Sequence, residues 1–258
     1  MRAVCLLLVH LLLIGSSCRE SPAPPAPGTG AIPAFEKIPS KSGEIPLPPG
    51  YKRSLVTTGS FGEWLRQLPL KKDKTVYLYN GKPKANQSAQ FAVVNISTGK
   101  KDLQQCADAL MRLRAEYLFA TGQFEKISFT DYAGKTYPWK GGKDTAALKG
   151  YLEHVFGCCG SASLEKQLKP VSDFRDISIG DVLIRGGFPG HAVMVIDLAE
   201  NEKGEKIYLL LQSYQPAQDM HILVNPVDNS LSPWYQAGAD SNIYTPEWHF
   251  KKQHLRRW

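Results

Sequence analysis

Cysteine is scarce in this chain, with five in 258 residues. That is too few for a small disulfide-stapled scaffold, so a chain of this length must rest on a hydrophobic core. Long apolar runs are missing too. The run over residues 3–14 is broken by His10 and falls short of the roughly 20 residues that a bilayer-spanning helix needs. No phosphate-binding glycine loop, no HExxH helix and no GxSxG elbow occurs. P-loop nucleotide chemistry, zinc proteolysis of that type and serine hydrolysis of that type therefore have no signature here. There is no internal repeat.

A large basic excess is also missing once the charge is located. The net charge is +7. Arg2 carries one of these charges, and Lys251, Lys252, Arg256 and Arg257 carry four more, which leaves +2 for the rest. A body so nearly neutral is not a polyanion-binding surface, and composition excludes nucleic acid as a partner.

The N-terminus has the parts of a secretory signal: Arg2, a short apolar stretch, then Gly15-Ser16-Ser17-Cys18. A cysteine directly after small residues resembles the bacterial lipoprotein cleavage site, although Gly15 stands where leucine is usual. The resemblance implies removal of residues 1–17 and lipidation of Cys18. It implies a bacterial cell-envelope protein held to a membrane by lipid, at the outer membrane or cell surface rather than the inner membrane. Residues 18–50 hold nine of the eighteen prolines and read as an extended spacer. A single globular domain is expected over 51–258.

Within that domain the pattern predicts helices first and strands afterwards. Phe61, Trp64, Leu65 and Leu68 mark a short helix over 61–68. Strands are expected at 76–79 and 91–96, with an Asn80-Gly81 turn after the first. Asp102 and Gln105 have capping-box spacing and predict a helix over 102–120. Residues 132–143 read as an aromatic, glycine-rich loop. Helices follow at 145–156 and 163–168, then strands at 181–185, 191–198, 206–213 and 220–224. This order indicates an α+β fold with an antiparallel sheet.

Cys106 is the candidate nucleophile. A helix starting at Asp102 places it at the end of the first turn, where the helix dipole lowers a thiol pKa. His191 opens a strand after the turn Gly186-Gly187-Phe188-Pro189-Gly190, at a sheet rim where its ring reaches a cleft. Gln212 is the first polar residue after the apolar run 207–211 and is placed to fix the imidazole tautomer. Ser213 and His221 compete with it, because strand register decides which side chain faces His191. Asp181 is assigned a structural cap or pair. The Cys158-Cys159 pair with His154 lacks metal-ligand spacing, and no metal or other cofactor is called for. Tyr132, Trp139 and Trp234 are candidate walls of a substrate cleft.

The order helix cysteine, Gly180-Asp181 opening one strand and Gly190-His191 opening the next resembles the papain-like cysteine hydrolases. The likeness is particularly to the bacterial NlpC/P60-type enzymes and their relatives. The resemblance implies a cysteine-bearing helix packed on an antiparallel sheet and cleavage of amide bonds in peptidoglycan-type material. It also implies a donor near the nucleophile for the oxyanion, a place that Gln105 occupies. Over most of 47–235 the chain resembles a lipoprotein family, domain of unknown function 4846. The segments LPPGY, LYNG, QQCADALMRLRAEYL and SY-PAQD carry that likeness, which brings no assigned chemistry. Two expectations follow: a membrane-anchored cysteine hydrolase, or a non-catalytic envelope lipoprotein that binds a glycan, peptide or protein partner.

Overall fold

The computed structural model describes residues 39–238 and 242–258. The signal segment, Cys18 and the first part of the proline-rich spacer lie outside the described residues. In chain order the elements are β1 (Tyr51–Arg53), α1 (Phe61–Arg66), β2 (Gln90–Val93), α2 (Cys106–Ala120), β3 (Ser128–Thr130), β4 (Thr136–Pro138), α3 (Thr145–Cys158) and α4 (Ser161–Gln167). Then come β5 (Lys169–Pro170), β6 (Val182–Arg185), β7 (His191–Asn201), β8 (Lys206–Gln212), β9 (His221–Leu223), β10 (Tyr235–Gln236), β11 (Asn242–Tyr244), β12 (His249–Lys251) and β13 (Leu255–Arg257).

The described residues form an α+β fold built on a nine-stranded sheet. Its main order is β2-β9-β8-β7-β6-β13-β5, with β1 added to β7 and β10 to β8. The pairings at its centre, β6 with β7, β7 with β8 and β8 with β9, are antiparallel. Two small hairpins, β3-β4 and β11-β12, stand apart from it.

The central strands read as continuous apolar runs because both faces of the sheet are covered. Ala192, Met194 and Ile196 of β7 join the cluster that contains Leu110 and Leu113 of α2. Val193 and Val195, one residue out of phase, join Phe250 of β12 and Tyr235 of β10 on the opposite face. The period-2 alternation of a strand supplies both cores from one segment.

Packing starts before Tyr51. Residues 39–50, read from sequence as the end of the spacer, lie against the domain. Ile45 is fully buried. The Ser42 hydroxyl donates to the Leu65 carbonyl at 2.6 Å, and the Trp234 indole donates to the Pro46 carbonyl at 2.8 Å. Arg53 donates to the Ile45 carbonyl and, with Arg66, pairs with the buried Asp197 at 2.8 and 2.7 Å. A short 3-10 turn over Ser42–Glu44 interrupts the segment, and Ile45 after it enters the core while Leu47 packs against it. Among the described residues no helix is long and apolar enough to cross a membrane.

Candidate functional site

Helix α2 starts at Cys106 with Gln105 as its N-cap, three residues later than the Asp102 cap that the capping-box spacing predicts. The reason is that Asp102 is spent elsewhere. Its Oδ1 accepts from the Ala217 N–H at 2.7 Å and from the Gln105 side-chain amide at 3.2 Å. Gln105 becomes the N-cap, and Asp108 accepts from the Gln105 backbone N–H at 3.0 Å. The cysteine is thus the first residue of a fifteen-residue helix.

His191 follows a close approach of backbone to backbone. A Cβ at Gly190 would stand 2.4 Å from Ser161 Oγ and 2.6 Å from the Gly187 carbonyl oxygen, so only glycine fits there. The turn packs on the start of α4 and delivers His191 into β7. Cys106 and His191 line one cavity of about 470 Å³, within the range of small-ligand sites. Its walls come from the start of α2, the α3–α4 junction, the 187–190 turn, Tyr214 and Trp248. The backbone N–H groups of Ala107, Ala192 and Cys106 lie where they favour the Cys106 thiolate.

Behind His191 lies a buried polar network. Gln212 on β8 sits opposite His221 on β9. Gln212 Nε2 donates to Glu247 Oε2 at 2.8 Å and lies 3.1 Å from His221 Nε2. Glu247 also receives Lys84 Nζ and, at 3.1 Å, Asn86 Nδ2. The carboxylate only accepts, so the amide nitrogen of Gln212 must face it. The amide oxygen then faces His191 Nε2, at 2.9 Å. His191 therefore carries its proton on Nε2 and its lone pair on Nδ1. His221 Nδ1 donates to the Asp219 carbonyl at 2.9 Å, so its Nε2 accepts from Gln212. Of the three competitors for the place beside His191, register selects Gln212. Ser213 donates instead to the carbonyls of Gln104 or Gln218.

Electrostatics correct one expectation. Burial, then the Asp108 carboxyl, push the Cys106 thiol up to about 11. The three backbone N–H groups oppose this and do not prevail. The helix N-terminus is present, but desolvation of the anion outweighs it. Burial also pushes His191 down to about 4, against the pull of Gln212 and Glu247. At neutral pH the pair rests as thiol and neutral imidazole.

The remaining predicted positions separate. Tyr132 lines the cavity. Trp139 and Trp234 do not: both are core residues, with indole N–H groups donated to the Gly142 and Pro46 carbonyls. Gln105 lines the cavity, with its amide already donating to Asp102. Asp181 is structural, gripped by Arg257 through both oxygens at 2.7 Å. Cys106, Cys158 and Cys159 are free thiols.

A family model described as a domain of unknown function (4846) matches residues 42–144 and 136–257. The chain belongs to this family. The matched segments contain Cys106, His191, Gln212 and Glu247 together. No curated protein and no solved structure matches the chain.

Glu247, Lys84 and Asn86 were not found from the sequence. Glu247 sits in the turn of the β11-β12 hairpin, which Thr245 closes by hydrogen bonds to and from Trp248. Ile243-Tyr244 and His249-Phe250 around a Pro246 turn are a hairpin signal. They point to the element and carry no sign of its contact with Gln212.

Proposed function

We propose that this protein is a membrane-anchored papain-like cysteine hydrolase that cleaves an amide bond in peptidoglycan-type material of the bacterial envelope. The observation that carries the reading is the buried His191–Gln212 hydrogen bond behind a cavity that both His191 and Cys106 line. It fixes the imidazole as a base with its lone pair on Nδ1. The neutral resting pair suits a general base that acts during attack rather than a standing ion pair.

In this mechanism Cys106 Sγ bonds to the carbonyl carbon while its proton passes to His191 Nδ1. Helix N-terminal N–H groups donate to the oxyanion. The imidazolium returns the proton to the leaving nitrogen as the C–N bond breaks. Water then attacks the thioester, His191 takes its proton, and the carboxylate and the thiol are released. Gln212 holds the ring throughout. Replacing Cys106 by alanine is expected to abolish release of free amine from peptidoglycan peptides, measured by chromatography; an unchanged rate rejects the assignment.

The second reading is a binding lipoprotein with an inert thiol, favoured by the pressure of burial on Cys106. Alkylation of the folded protein at neutral pH separates the two. Rapid modification of Cys106 supports the hydrolase, and modification only after unfolding supports the binding module. Anchoring through Cys18 belongs to the same proposal. Cys18→Ser is expected to move the chain from the membrane to the soluble fraction.

A further inference from the structure

An amide is an ambiguous partner for a catalytic histidine. Its oxygen and nitrogen have nearly the same shape, and rotation by half a turn exchanges an acceptor for a donor. With Oε1 toward His191, Gln212 holds the proton on Nε2 and leaves Nδ1 basic. With the amide nitrogen there instead, it would donate to Nε2 and force the proton onto Nδ1. The base would then have no lone pair for the thiol proton. A carboxylate in the same place would not pose the problem, so a site that uses glutamine needs something to break the symmetry.

We infer that Glu247 is that element: a positioning residue that acts through Gln212 to fix the tautomer of His191. This rests on the reading of Cys106 and His191 as nucleophile and base. Three observations carry it. Glu247 is an acceptor facing Gln212 Nε2 at 2.8 Å, and a flipped amide would set oxygen against oxygen. His221 consumes the second amide N–H, because its own Nδ1–H is committed to the Asp219 carbonyl. Both donors of the amide are thus used, and only its oxygen is left for His191.

Glu247 is itself held. Lys84 pairs with it, and both side chains are largely buried. Asn86 donates to its other oxygen. The Thr245–Trp248 turn fixes the backbone that carries it. Lys84 also balances the charge, so the network brings orientation to His191 with little net charge. The groups facing it are Glu247, Lys84 and His221, with the aromatic rings of Tyr214, Trp248 and Phe250 packed around the imidazole.

The test reads the tautomer directly. Histidine ¹⁵N NMR of the full domain at neutral pH is expected to show His191 purely Nε2–H in the wild type. Glu247→Ala should populate both tautomers and slow alkylation of Cys106 roughly twofold or more, because only the fraction of His191 with a free Nδ1 can take the thiol proton. Lys84→Met leaves the Gln212 contact in place and should keep the single tautomer, which a merely structural role for the ion pair would not predict. If Glu247→Ala alone fails to fold, the Lys84→Met/Glu247→Leu double variant removes both halves of the pair, and the same mixed tautomer is expected. A folded Glu247 variant that keeps a pure Nε2–H tautomer and the wild-type alkylation rate overturns the inference. A locked tautomer in a wild-type protein that releases no amine from peptides leaves the inference standing and removes the hydrolase reading.

Discussion

At the scale of single residues, the chain buries charge where it must hold separate segments together. Asp197 is fully buried on β7 and accepts from Arg53 of β1 and Arg66 of α1. Arg66 also donates to the Ser54 carbonyl. Removing the carboxylate leaves two guanidinium groups facing a low-dielectric interior. Asp197→Ala is therefore expected to lower the unfolding free energy by about 3–5 kcal/mol, measured by urea denaturation. A loss under about 1 kcal/mol would mean that the clamp contributes no net stability. Residue chemistry was only partly legible in the sequence. Cys106 and His191 stood out by position, because a helix start and a Gly-His strand start are local patterns. Gln212 could not be separated from Ser213 and His221 until register was known. Trp139 and Trp234 looked like cleft walls because a sequence does not say which side of an aromatic ring the core lies on. Glu247 was invisible, since its meaning comes from a partner 35 residues away.

At the scale of elements, glycines give contrasting tests. Gly150 lies inside α3, where an added Cβ would meet nothing within 4 Å. Gly150→Ala is expected to raise stability by about 0.5–1 kcal/mol, seen as a higher melting temperature. Gly180, before β6, has a φ of +94°, and its Cβ would stand 2.8 Å from a Phe61 ring carbon. Gly180→Ala is expected to cost about 2 kcal/mol or more, through both the strained backbone and displacement of α1. Equal effects of the two substitutions would contradict the packing described. The longer helices and the central strands were readable from hydrophobic period and breakers. The start of α2 was not, because the spacing of Asp102 and Gln105 imitates a cap while Asp102 serves the Ala217 N–H. Strand β4 was hidden in a stretch, 132–143, whose aromatics and glycines read as loop, and its partner β3 was not anticipated.

For the whole molecule, three buried titratable groups set the pH response. Burial first of all depresses His191 to about 4 and His221 to about 3, below their usual 6.5. The stability from keeping them neutral is present above pH 6.5 and is lost as pH falls toward those values. Burial raises Asp108 to about 8, above its usual 3.8. Its contribution is present below 3.8 and is lost as pH rises toward 8. Each group changes stability by about 1.4 kcal/mol per pH unit within its window. The two histidines together outweigh Asp108 on the acid side, so melting temperature is expected to peak near pH 6.5. Asp108→Asn should flatten the alkaline limb above that peak and leave the acid limb in place. A melting curve indifferent to pH between 6.5 and 8 in the wild type would show that Asp108 is not held protonated.

The network behind His191 also has a consequence in time. Lys84, His191, Gln212 and Glu247 come from four stretches of chain, and Glu247 is the last of them in chain order. Cys106 is made early, but His191 receives its final orientation only when the β11-β12 hairpin is in place. A chain still being synthesised carries the Cys106 thiol without the Gln212–Glu247 contact that orients His191. On the function proposed above, a product truncated before that hairpin is expected to release no amine from peptides. Docking of the hairpin on Gln212 is then the step that completes the network.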